Sequence, residues 1–154
     1  MKYTMKILVL SKEEFENLMK SNGINNNTVE LYEDTFFISI HHNGVKETYF
    51  ENKKNVKVMF FDDCTFKLEN ATPMNADQAD ELLNFIDENL DKKTCIVHCA
   101  AGISRSGAIG TFLCDYTESD FDVFVQTNPH IHPNVLVLNL MKKAVGRKHN
   151  LRMY

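Results

Sequence analysis

The stretch from His98 to Gly107 constrains this chain more than any other part of it. Residues 94–97 before it are mostly apolar, and residues 108–113 after it are small or apolar, which is typical of a strand, a loop and a helix. Cys99 ends the predicted strand, and Arg105 follows six positions later. A loop that enters a helix N-terminus points backbone N–H groups at one place, where the helix dipole adds positive potential. The sequence therefore predicts an anion-binding cradle over a cysteine with a lowered pKa.

This stretch resembles the His-Cys-x5-Arg-Ser/Thr signature of the protein tyrosine and dual-specificity phosphatase superfamily, in its compact branch. The resemblance implies that Cys99 is the nucleophile and forms a phosphocysteine intermediate. It implies that Arg105 binds the phosphate oxygens, that Ser106 helps Cys99 to leave in the second step, and that His98 orients the loop. The predicted phosphate-binding residues are Ala100, Ala101, Gly102, Ile103, Ser104 and Arg105. This chemistry needs no metal and no cofactor.

The same family takes its general acid from an aspartate on a loop upstream of the signature. Asp62 and Asp63 follow a predicted strand over residues 56–61. Adjacent side chains of an extended segment point to opposite sides, so we expect only one of them to face the pocket. Asp63 lies further beyond the strand and is the preferred general acid, with Asp62 as the alternative. Asp62 would then be a structural partner of loop N–H groups.

Short strands dominate the first half of the chain, and helices dominate the second. We predict strands over residues 7–10 and 36–40, and a helix capped by Ser11, with Glu14 completing a capping box. A turn at Asn43-Gly44 could close a hairpin, and Thr72-Pro73 is expected to open a helix. A short helix is expected after Ser119 or Asp120, and a last one after Pro133-Asn134. The pattern favours an α/β fold with a small, mostly parallel central sheet flanked by helices, like that of the dual-specificity phosphatases. We expect one catalytic domain over residues 1–154.

Net charge, the length of the apolar runs and the cysteine spacing argue against several classes of protein. The formal net charge is −4, which argues against a nucleic-acid-binding protein, since such proteins carry a basic excess. No apolar run approaches transmembrane length, and the N-terminal residues do not form a signal peptide, so no membrane partner is expected. The four cysteines are irregularly spaced and do not suggest a disulfide framework, which favours a cytoplasmic protein.

Two further groups of residues each allow a functional and a structural interpretation. Cys64 lies beside the acidic pair and could form a disulfide with Cys99 on oxidation, although a plain packed cysteine is the preferred interpretation. The pairs His41-His42 and His130-x-His132 lack carboxylates or thiols nearby in sequence, so we interpret them as surface or loop residues rather than metal ligands.

The predicted function is a hydrolase for phosphotyrosine in proteins or peptides, with phosphoserine and phosphothreonine as further possible substrates. Two alternatives stay open: a phosphatase for non-protein substrates such as phosphoinositides or RNA 5′ phosphates, and a catalytically silent phosphate-binding module. Family members that act on phosphoinositides carry lysines inside the signature loop. Here the loop has no charge besides Arg105, which favours a substrate with one phosphate.

Overall fold

The computed structural model describes residues 4–152, with side chains up to residue 150. The outermost residues of the predicted domain 1–154 lie outside this range. The strands are β1 (Lys6–Ser11), β2 (Thr35–His41), β3 (Val56–Phe60) and β4 (Thr94–Cys99). The helices are α1 (Lys12–Ser21), α2 (Ala76–Glu88), α3 (Arg105–Tyr116), α4 (Phe121–Thr127) and α5 (Val135–Arg152), and a short 3-10 turn spans Val29–Leu31.

The four strands form one sheet in the order β1-β4-β2-β3, and every neighbouring pair is parallel. Parallel neighbours need crossover connections; α1 lies between β1 and β2 and α2 lies between β3 and β4, whereas the connection from β2 to β3, over the described residues 42–55, contains no helix. The predicted α/β fold, with a small parallel sheet flanked by helices, is confirmed. All four strands end at the same edge of the sheet, where Ser11, His41, Phe60 and Cys99 are the last strand residues. Open parallel sheets bind ligands at this edge.

Both faces of the sheet are covered, as a parallel sheet requires. On one face, Phe15 of α1 packs edge-on against Phe37 and Phe50 at centroid distances of 6.4 and 5.8 Å. The opposite face carries the larger core, in which the fully buried Phe36 and Ile38 belong to the same cluster as residues of α2, α3 and α5. Alternate residues of β2 therefore serve two different apolar layers.

Hydrogen-bonded caps define most of the helix starts. Ser11 and Glu14 form the predicted capping box of α1, with bonds of 3.1 and 3.0 Å. Asp120 rather than Ser119 caps α4. Asn134 accepts from the backbone N–H groups of Leu136 and Val137 at the start of α5. These ends could be predicted because a cap depends only on residues two or three positions apart.

One local prediction is wrong, and another is confirmed only in part. Helix α2 begins after Asn75, which forms a capping box with Gln78, and not at Thr72-Pro73. The N–H of Thr72 donates instead to the carboxylate of Asp62, so this segment belongs to the acidic loop. The predicted turn at Asn43-Gly44 is present, but it closes no hairpin. Strands β2 and β3 are parallel, and residues 42–55 cross over the α1 face, where Phe50 is buried.

Among the residues that the structure describes, no helix is both long and apolar enough to cross a membrane.

Candidate active site

The loop between β4 and α3 is held from outside by its carbonyl groups. The backbone N–H groups of Lys12, His132 and Asn134 donate to the carbonyl oxygens of Ala100, Ile103 and Ser104 at 3.1, 2.9 and 3.0 Å. Within residues 4–152, no backbone carbonyl accepts from the loop N–H groups of residues 101–104. The carbonyls thus point away from the centre of the loop, and the N–H groups remain available for an anion there.

Two features of the structure require a glycine at position 102, at the base of this loop. Its φ is 72°, in the left-handed region that favours glycine. A Cβ at this position would also lie 2.4 Å from the backbone carbon of Leu10 and 2.4 Å from the backbone nitrogen of Ser11. The end of β1 therefore approaches the loop too closely for any side chain.

Cys99 lies under the loop with only 2% of its surface exposed. Burial raises the pKa of the Cys99 thiol, but hydrogen bonds from the Ser106 hydroxyl and from the N–H groups of Ser106 and Gly102, with the charge of Arg105, outweigh it. The pKa is therefore lowered, and the distance from Sγ to Oγ of Ser106 is 3.0 Å. By contrast, burial raises the pKa values of Cys95 and Cys114.

Arg105 begins α3 and is also 2% exposed. Its Nη1 donates to the carbonyl oxygen of Phe61 at 2.9 Å, which fixes the guanidinium below the acidic loop. Its Nε is buried and has no hydrogen-bond partner among the described residues. An unsatisfied donor on a buried cation is costly, so this Nε marks a place where an acceptor is expected to bind.

Asp63 lies beside the loop and is held by two donors. The Ser104 hydroxyl donates to Oδ1 at 2.8 Å, and Nδ2 of Asn134 donates to the same oxygen at 2.9 Å. Within the described part of the chain, no group donates to Oδ2. One oxygen is therefore fixed, and the other is open for proton transfer to a ligand.

Asp62 has a different environment. Its Oδ2 accepts from the N–H of Thr72 at 2.8 Å, and its Oδ1 accepts from the N–H of Asn43 at 3.0 Å and lies 3.5 Å from Nδ1 of His42. The Thr72 bond, and after it the Asn43 bond and His42, lower the pKa of Asp62 despite its burial. A carboxylate that is tied at both oxygens and held ionised is a poor proton donor. The geometry therefore favours Asp63 as the general acid, and that role remains a prediction.

Sequence analysis did not identify the role of Asn134 in the candidate site. Its side chain bonds Asp63 and the carbonyl of Cys64, its backbone N–H bonds Ser104, and its Oδ1 caps α5. It is 6% exposed and joins three segments that are far apart in the chain. The sequence signal was the Pro133-Asn134 pair, which indicated a helix start but not a contact 71 positions away.

Replacing Asn134 with alanine should lower kcat about tenfold on phenolic phosphates, because Asp63 loses one of its two fixed donors. The variant also loses the α5 cap, so it should be compared in wild-type and Asp63→Asn backgrounds. Loss of the α5 cap should lower kcat by the same factor in both backgrounds, whereas loss of the bond that positions Asp63 can lower kcat only where Asp63 is present. An equal kcat loss in the two backgrounds would limit Asn134 to the helix cap.

Of the two buried histidines, His98 agrees with the sequence-based interpretation and His41 does not. His98 Nδ1 lies 3.2 Å from the carbonyl oxygen of Cys99, as its predicted loop-orienting role requires, and its ring packs on Phe15 at 4.2 Å. The prediction that His41 is a surface or loop residue is wrong: it ends β2, is 5% exposed and bonds Ser39. Its burial depends on strand register, which no local pattern reveals. His42 is exposed, and His130 bonds the carbonyl of Val9.

No three His, Cys, Asp or Glu side chains within the described residues converge on a point that could hold a metal ion. All four cysteines, Cys64 and Cys99 among them, are free thiols.

Comparison with known proteins finds a sequence match over part of this chain. No protein-family model matches the chain. A Dictyostelium discoideum protein, MAP kinase phosphatase with leucine-rich repeats protein 2, is 34% identical over 68 residues. The match covers 41% of this chain and 10% of that protein, so the chain spans about a tenth of the relative's length. The solved structure of Tk-PTP in the active form aligns at 17% identity and a TM-score of 0.47, covering 79% of this chain and 86% of that one.

Proposed function

The chain resembles the protein tyrosine and dual-specificity phosphatase superfamily, and we propose that it is a cysteine-dependent phosphatase that hydrolyses phosphotyrosine in proteins or peptides. The observation that carries this proposal is the pairing of two buried groups. The Cys99 thiol has a lowered pKa, and the Arg105 guanidinium beside it has an unsatisfied Nε. Together they form a site suited to bind an oxyanion next to a nucleophilic sulfur.

In the first step the Cys99 thiolate attacks phosphorus in line. The S–P bond forms while the bond from phosphorus to the tyrosyl oxygen breaks, and Asp63 gives its proton to that oxygen. Loop N–H groups and Arg105 stabilise the charge on the three equatorial phosphoryl oxygens. The product is phosphocysteine and a free tyrosine hydroxyl.

In the second step Asp63, now ionised, takes a proton from a water molecule whose oxygen attacks phosphorus. The S–P bond breaks, and the electron pair returns to Cys99 as a thiolate. The hydroxyl of Ser106, 3.0 Å from Sγ, stabilises that thiolate as it leaves. Inorganic phosphate is released, and the starting state is restored.

The surroundings of the cradle support a substrate with a single phosphate and an apolar leaving group. Ala100, Ala101 and Ile103 are exposed on the loop and carry no charge. Lys12 contacts the loop through its backbone, but its ammonium lies 3.9 Å from the carboxylate of Glu16. The loop side chains therefore offer a second phosphate on the same substrate no positive charge besides Arg105.

The test is a comparison of two substrate sets at equal concentration, with released phosphate as the readout. Phosphotyrosyl peptides should be hydrolysed with a kcat/KM roughly tenfold or more above that of soluble phosphoinositides. A preference for the lipid headgroups would contradict the substrate assignment but keep the Cys99 chemistry. Phosphate-mimic binding without turnover of either set would instead indicate a silent binding module.

A further inference from the structure

Three buried side chains form a hydrogen-bonded row that ends at the nucleophile. Nε2 of His41 lies 2.8 Å from Oγ of Ser39, and Oγ of Ser39 lies 2.6 Å from Nε2 of His98. Nδ1 of His98 lies 3.2 Å from the carbonyl oxygen of Cys99. Ser39 is opposite His98 in the β2–β4 register, and the three side chains are exposed by 5% or less.

Both imidazoles are neutral at physiological pH. Burial, the largest cause, acts together with the charges of Lys12, Arg105 and His42 to lower the pKa of His41 to about 4. The pKa of His98 is also lowered to about 4: burial outweighs the hydrogen bond to the Cys99 carbonyl, which raises it, and His41, Lys12 and Arg105 make smaller lowering contributions. Each ring therefore carries one proton, on one of two nitrogens.

The carbonyl of Cys99 determines where the His98 proton must be. A carbonyl oxygen only accepts hydrogen bonds, so Nδ1 of His98 has to carry the proton. Nε2 of His98 is then an acceptor, and the single hydroxyl proton of Ser39 must point to it. Ser39 can complete its bonding only by accepting, which requires the His41 proton to be on Nε2.

The reverse direction is less favourable in this structure. If His98 carried its proton on Nε2, it would donate to Ser39, and Ser39 would donate to His41. Nδ1 of His98 would then present a lone pair to the Cys99 carbonyl oxygen at 3.2 Å, and one hydrogen bond would be lost. The reversal would also require the proton of His41 to move from Nε2 to Nδ1, which has no hydrogen-bond partner among the described residues.

We propose that His41 is a positioning residue of the candidate active site: through Ser39 it holds the proton of His98 on Nδ1 and so fixes the carbonyl of Cys99. This inference rests on the proposed function of Cys99 as the nucleophile. A fixed Cys99 carbonyl sets the direction of the next peptide unit, and with it the loop whose N–H groups stabilise the thiolate. His41 touches neither the thiol nor the substrate, so it acts only through other residues.

Nitrogen NMR of the histidine rings tests the direction of the protons without any enzyme assay. At neutral pH, wild-type protein should show His98 protonated on Nδ1 and His41 protonated on Nε2. In His41→Phe the ring volume is kept, but the donor is lost. Ser39 then makes one hydrogen bond to His98 whether it donates or accepts, so only the Cys99 carbonyl still favours the proton on Nδ1, and a second His98 tautomer should become measurable.

The pH dependence of Cys99 alkylation by iodoacetamide, followed by peptide mass spectrometry, tests the consequence for the thiol. In His41→Phe and Ser39→Ala, we expect the half-alkylation pH to rise by about 0.5–1 unit, a three- to tenfold loss of thiolate below that pH. His41→Gln keeps an N–H donor near the position of Nε2 and should restore the wild-type profile.

Wild-type protein with the proton of His41 on Nδ1, or with that of His98 on Nε2, would overturn the proposal. So would an unchanged alkylation profile in His41→Phe, or one in His41→Gln as poor as in His41→Phe. Should His41→Phe fail to fold, the wild-type tautomers and the His41→Gln profile decide the matter. None of these readouts requires phosphate turnover, so an inactive protein with this proton arrangement would refute the proposed function alone.

Discussion

Cys99→Ser should abolish measurable turnover of an aryl phosphate and leave the binding of a phosphate mimic such as vanadate or tungstate largely intact. A serine hydroxyl is a far weaker nucleophile at neutral pH than a cysteine whose pKa is lowered by Ser106, Gly102 and Arg105. The loop N–H groups and the Arg105 guanidinium are unchanged by the substitution, so the anion site should persist.

Cys114→Ser is the matched control for this experiment. Cys114 is a buried cysteine near the C-terminal end of α3, and its Sγ lies 3.5 Å from the carbonyl oxygen of Ser119, a contact that a hydroxyl can also make. We expect near wild-type turnover for this variant. Residual activity in Cys99→Ser similar to that of Cys114→Ser would refute the nucleophile assignment, as would strict dependence of the wild type on an added divalent metal.

The parts of this structure that sequence analysis predicted are those in which a short stretch determines its own geometry. The segment from Cys99 to Arg105 forms a loop at a helix N-terminus, as its glycine and the following helical pattern indicate. Ser11 and Glu14 cap α1 because their spacing allows both reciprocal bonds. The apolar run of β2 identified a strand, and the succession of elements identified an α/β fold.

The parts that could not be predicted depend on which strands become neighbours. His41 and His98 are far apart in the chain, and only the parallel pairing of β2 with β4 brings Ser39 between them. The start of α2 was placed too early because Thr72-Pro73 has the composition of a helix start. The N–H of Thr72 is instead engaged by Asp62, a contact between residues ten positions apart.

Asn134 illustrates the same limit within the candidate site. Its capping role follows from the sequence that it precedes, but its bond to Asp63 exists because α5 begins beside the loop that leads into α3. A residue can thus be recognised as a helix cap and still hold a second role that only the tertiary structure gives it. In this chain the two roles use different atoms, Oδ1 for the helix and Nδ2 for the aspartate.

Replacing Asp63 with asparagine should lower kcat on phenolic or alkyl phosphates by about 10²–10⁴-fold, the usual contribution of general acid catalysis. The loss should shrink for an aryl phosphate whose leaving group is acidic enough to depart without a proton. The substituted amide would keep an oxygen for the Ser104 and Asn134 donors, so the loop should stay in place. The alkaline limb of the pH profile, on which a general acid loses its proton, and the leaving-group dependence would then change together.

Asp62→Asn is the control that separates the two neighbouring aspartates. Both oxygens of Asp62 accept backbone N–H groups, and an amide can satisfy only one of them in the same way. We therefore expect a loss of thermal stability and a moderate loss of activity that is the same for good and poor leaving groups. If Asp62→Asn gives the leaving-group dependence and Asp63→Asn does not, the general acid is Asp62, and the bonds from Ser104 and Asn134 to Asp63 serve the loop rather than the proton.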